Sequence, residues 1–150
     1  MADQGDEPRG VRDRWLRSGS PSRLTVASLA IGGGAIVMLG AWLSWFSLFA
    51  GLHAYRGVDV LNGRLLAAGG ALSMLAGWRF SLHGGHRLRW AIGLLGFVLL
   101  AFGSWSALQL SIIYRGLAAD PFVLPRLGPG LVAVVTGALA IFATLYVTDE

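Results

Sequence analysis

The sequence predicts an all-α membrane fold, with four transmembrane helices paired as two antiparallel hairpins in a four-helix bundle. Three observations carry this. The 150 residues are 55% hydrophobic with a mean hydropathy of +0.62, and only 13% are charged, too few to clothe a soluble domain in polar surface. The apolar residues gather into four runs, each about as long as the ~20 residues a helix needs to cross a bilayer. The arginines stand at the borders of those runs.

Residues 1–22 mix Asp, Glu, Arg, Gly, Ser and Pro, a composition that cannot bury enough apolar area to offset its ordering entropy, so a disordered basic tail is expected there. Val11, Trp15 and Leu16, set among Arg9, Arg12, Arg14 and Arg17, could alternatively lie as one short turn on the headgroup layer. A mostly polar stretch of more than twenty residues before the first apolar run makes that run an anchor rather than a cleaved signal. Residues 23–150 form the membrane domain.

The first span is expected over 24–49, since no charge falls between Arg23 and Arg56. The second, 61–82, holds fourteen uncharged residues between Arg64 and Arg79. That is about 21 Å of helix, and it spans only if both arginines reach outward along their aliphatic stems. The third, 90–114, and the fourth, 127–147, are uncharged and bounded by Arg or aromatic residues. Arg9, Arg12, Arg14, Arg17, Arg23, Arg79, Arg87 and Arg89 flank one side and Arg56, Arg64, Arg115 and Arg126 the other, so the positive-inside rule places both termini in the cytoplasm of a cell membrane. All twelve basic residues are Arg, which suggests a GC-rich bacterial genome. Their position at the borders points to anionic lipid headgroups rather than nucleic acid as partner.

Small residues four apart allow backbones to approach closely in lipid, where hydrophobic drive between helices is weak. Ala30 and Gly34 mark such a face on the first span; Gly69, Ser73 and Gly77 on the second; Gly103, Ala107 and Ser111 on the third; Ala133 and Gly137 on the fourth. Trp42, Trp45, Trp78, Trp90 and Tyr114 are the expected interfacial anchors. Gly40, Trp42, Tyr55, Arg56, Gly57 and Asp59 are echoed by Gly103, Trp105, Tyr114, Arg115, Gly116 and Asp120, which raises a duplication of the hairpin about an axis along the membrane normal.

Chemistry-bearing groups are sparse. No Asp, Glu, Lys or Arg lies at mid-membrane depth, which argues against a proton-coupled pump. The chain has no cysteine, and His83 with His86 supplies two ligands where a metal site needs more, so no metal or other cofactor is expected. His53, Tyr55, Arg56 and Asp59 in one outer loop, with Tyr114, Arg115, Asp120 and Arg126 in the other, make a candidate polar cap without a placed nucleophile. Pro121, Pro125 and Pro129 punctuate the second of these loops.

At W-L-S-W (Trp42 to Trp45), G-V-D (Gly57 to Asp59), N-G-R (Asn62 to Arg64) and G-P-G-L (Gly128 to Leu131), the chain resembles a group of small four-span membrane proteins of actinobacteria. Many of these carry W-L-P-W where this chain has Ser44. The resemblance covers about 24–147 and implies architecture and an envelope location, without an activity. The leading expectation is a non-enzymatic membrane protein that packs with other membrane subunits or as a homo-oligomer. The alternative is a small-solute or lipid transport component with Gln109 and Thr136 on its path; an enzyme acting at the outer loops ranks third.

Overall fold

The computed structural model describes residues 21–48, 53–117 and 126–147. Helix α1 (Pro21–Trp42) leads into strand β1 (Ser44–Leu48). Strand β2 (His53–Arg56) and a 3-10 turn over Gly57–Asp59 then precede α2 (Leu61–His83). Helix α3 (His86–Leu117), β3 (Arg126–Leu127), α4 (Gly130–Phe142) and a closing 3-10 turn over Ala143–Tyr146 complete the chain.

Three helices, Ser22–Trp42, Leu61–His83 and His86–Gly116, are long and apolar enough to cross a membrane. The fourth, Gly130–Tyr146 counted through its 3-10 turn, is apolar but shorter. The second expected span matches α2 to one residue, and α3 runs past both ends of the third. Residues 21 and 22, assigned to the tail, already belong to α1; the rest of that tail, Asp120, Pro121 and Pro125 lie outside the described residues.

Among the described residues the fold is mostly helical, with four helices, and adds a three-stranded antiparallel sheet in the order β2-β1-β3 that the sequence did not predict. Ser47 pairs with Ala54 on one side and Arg126 on the other, with an irregularity between Ser44 and Phe46. The first helix therefore stops at Trp42 instead of reaching Phe49, because the aromatic Trp45-Phe46 pair takes the central strand of this sheet. Arg126 and Leu127, expected at or beside the fourth span, are strand as well. That helix starts after Pro129, whose missing N–H is no loss at a helix start.

Helix α1 packs most extensively on α2 and α4, and α3 packs on α4 and more sparingly on α2. Glycines set these approaches. A methyl group built on Gly34 would lie 2.5 Å from the Gly70 carbonyl oxygen, and one on Gly70 would lie 2.7 Å from that of Gly34. Gly33 and Gly137 meet in the same reciprocal way, as do Gly40 and Gly130. Positions that ascend along α1 therefore face positions that descend along α2 and α4, so both pairs are antiparallel. Such close contact maximises backbone dispersion, which must hold helices together where the surroundings are as apolar as the side chains. Ser73 adds a hydroxyl donated to the Ala30 carbonyl at 3.0 Å. Val26, Val37, Leu66, Ile92, Leu99, Val134 and Ile141, drawn from all four helices, share one core.

The sequence echo between the halves is not an echo in space. Tyr55 and Arg56 are in a strand whereas Tyr114 and Arg115 are in a helix. Gly40 of α1 and Gly103 of α3 both face α4 at Val134, where a hairpin duplication would turn Gly103 toward α2.

Candidate functional site: the knot around Trp45

At the end of the molecule that carries the sheet, the separated fragments W-L-S-W, G-V-D, N-G-R and G-P-G-L converge on one side chain. Trp45 is 7% exposed, and its indole N–H donates to the Gly40 carbonyl at 2.9 Å, filling an acceptor left over at the C-terminal end of α1. Its ring fills the space beside Gly57, where a methyl group would collide with indole Cε2, and beside Gly130, where a methyl group would lie 2.7 Å from Cδ1. Gly63 abuts the Gly57 carbonyl and Gly128 abuts that of Ser44. The Gly128 N–H donates to the Trp45 carbonyl at 2.9 Å and the Gly57 N–H to that of Leu43 at 3.3 Å.

Trp45 is therefore not the interfacial anchor expected from the sequence. It is a buried wedge, because Gly57 and Gly130 leave a slot that fits an indole. Trp42, three residues earlier, is 62% exposed.

The expected polar cap is only partly assembled. The Asp59 carboxylate accepts the Arg56 backbone N–H at 3.0 Å, and Arg64 Nε donates to the Val58 carbonyl at 2.9 Å, so the 3-10 turn is tied from both sides. Tyr55, Arg56 and Asp59 are exposed. Arg115 is exposed on the last turns of α3, and Tyr114 beside it is half-buried. His53 sits at the start of β2. The side chains of Asp59 and Arg64 serve backbone atoms, an arrangement that stiffens a turn. Among the described residues no group of three His, Asp or Glu could hold a metal ion.

Of the small-residue faces, Ala30, Gly34, Gly69, Ser73, Gly77, Gly103 and Gly137 are buried. Gly69 meets Leu99 of α3 rather than α1. Ala107, Ser111 and Ala133 are only partly covered. Gln109 and Thr136 are exposed and do not line a common interior path, and the Thr136 hydroxyl donates to its own helix at Val132.

The opposite end, around the α2–α3 turn, holds a cluster that sequence reasoning missed. Arg89 donates to the carbonyls of Thr144 and Leu145, each at 3.1 Å, and also to that of Val147. It thereby closes the carbonyls of the 3-10 turn that follows α4 with a cation, the sign favoured at the C-terminal end of a helix. The Arg23 guanidinium lies against Gly84, whose φ of +64° lets α2 end with its N–H on the Phe80 carbonyl. The Trp90 indole N–H donates to His86 Nε2 at 2.7 Å. The signal for Arg89 was present in the sequence only as a charge at a helix border, and its partners lie more than fifty residues away.

Between these ends the surface is apolar. Leu39, Leu65, Leu72, Leu75, Leu94, Phe97, Val98 and Val132 point outward from all four helices. No family model, curated protein or solved structure matches this chain.

Proposed function

We propose that the chain is a non-enzymatic four-span protein of the cell membrane, two antiparallel helical hairpins with both termini in the cytoplasm, that acts by packing with other membrane subunits or with itself. One observation carries this reading: large apolar side chains face outward on every helix while the interior is closed by glycine-to-backbone contacts. A chain that spends its smallest residues inside and its largest apolar ones outside presents a surface suited to acyl chains and neighbouring helices. The sheet end then faces outward, in line with the arginine balance across the spans. Anionic headgroups meet the arginines at the α2–α3 turn, and the resemblance to small actinobacterial four-span proteins agrees with an envelope location.

The test is extraction of the tagged full chain from its native membrane in mild detergent, followed by the mass and composition of the particle. Comigration with larger membrane proteins, or a defined homo-oligomer, supports the proposal. A lone monomer whose deletion leaves the envelope unchanged counts decisively against it.

A further inference from the structure

The helix registers align the charged groups into two planes. On α1, Gly33 faces Gly137 and Gly40 faces Gly130, so Thr144, one heptad past Gly137, stands at the height of Val26. There Arg89 holds the Thr144, Leu145 and Val147 carbonyls and pins a cation between the heights of Val26 and Arg23. On the other side of α1, Gly70 faces Gly34 and Gly77 faces Ala30 and Ile31. The Gly34–Gly70 register puts Arg64 at the height of Gly40, level with the start of α4, and Arg79 one residue from Val26, while the Gly77 contact places Arg79 two to three residues inside Val26.

The exposed tryptophans follow the same two planes. Trp78 adjoins Arg79 and Trp90 adjoins Arg89 at one plane. Trp42 stands two residues beyond Gly40 at the other, and Trp105 two residues beyond Gly103, which faces Val134 beside Gly40. These four are 57–65% exposed, as indoles at a headgroup layer must be.

From the level of Arg23 to Val26 up to Gly40 the helix rises about 21–26 Å, whereas the hydrocarbon core of a typical bilayer is about 30 Å thick. We infer that the protein is built for a thin bilayer, and that it selects short acyl chains or thins the lipid around α2 and α4. Arg64 donates to Val58 and so reaches a little beyond its plane, but Arg89 is held on backbone carbonyls and cannot follow a thicker membrane. The last turns of α3, with Gln109 and Arg115, rise past the sheet-end plane into the headgroup layer.

This inference rests on the membrane reading, and one experiment separates their failures. The full chain is reconstituted into vesicles of dimyristoleoyl-, dioleoyl- or dierucoyl-phosphatidylcholine and floated, and each lipid then competes with brominated dioleoyl lipid in quenching tryptophan fluorescence. The short-chain lipid is expected to bind the protein surface at least about twofold more strongly than the longest. Equal binding, or an optimum at dioleoyl or longer, overturns the thickness inference and leaves the membrane reading intact. Failure to float with any of the vesicles overturns both.

Discussion

The indole N–H of Trp45 donates to the carbonyl oxygen of Gly40 at 2.9 Å, across the point where α1 gives way to β1. One side chain thus ends a helix, starts a strand and fills the space between Gly57 and Gly130. Trp45→Phe keeps a ring but removes the donor, leaving a buried carbonyl unpaired and part of the slot empty. We expect a loss of about 1–3 kcal/mol in detergent-solubilised unfolding. Trp42→Phe, at an exposed ring, should change stability by less than about 0.5 kcal/mol.

Gly63→Ala and Gly128→Ala each drive a methyl group into a backbone carbonyl, of Gly57 and of Ser44. Backbone cannot rotate aside as a side-chain tip can, so each should cost about 1–3 kcal/mol or more in thermal unfolding. Gly32→Ala is the contrast: nothing lies within 4 Å of the added methyl. Better helix propensity there should stabilise by up to about 1 kcal/mol.

Gly34 and Gly70 aim at each other's carbonyls, so their substitutions should not add. Once the methyl of Gly34→Ala has moved α1 and α2 apart, Gly70→Ala meets a gap already opened. The double variant should be at least about 0.5 kcal/mol more stable than the sum of the single losses predicts, as read from a double-mutant cycle.

Arg89→Gln removes the cation from the carbonyls of Thr144, Leu145 and Val147. Loss of its charge-assisted hydrogen bonds, worth about 1.5–3 kcal/mol each, should raise hydrogen exchange in the closing 3-10 turn roughly tenfold or more. Arg87→Gln, at an exposed position on the same helix, should leave that exchange unchanged.

The chain has no cysteine, so single introduced thiols report sidedness cleanly. Tyr55→Cys at the sheet end should react with a membrane-impermeant maleimide on intact cells, and His83→Cys at the turn end only after permeabilisation. The reverse pattern would invert the proposed orientation.

Much of the helical layout was legible in the sequence because lipid-scale hydrophobicity is a property of each segment alone. Leu61–His83 could be bounded from Arg64, Arg79 and the apolar run between them without knowing what α2 touches. The end of α1 was not legible in this way. Leu43 to Leu48 is as apolar as the helix before it, and only pairing with Ala54 and Arg126, and the slot for Trp45, turns it into strand. The polar cap was likewise read from residue types, whereas the Asp59 carboxylate is used on the Arg56 backbone N–H.

By itself the sequence determined that the chain forms long apolar helices with charges at their ends and glycines on particular faces, since composition and helical periodicity are local. The tertiary structure decided which glycines meet, that Trp45 is buried while Trp42 is exposed, and that Arg89 belongs to α4. Those outcomes depend on the relative sliding of helices, and that register is set by contacts such as Gly33 with Gly137, which lie far apart along the chain.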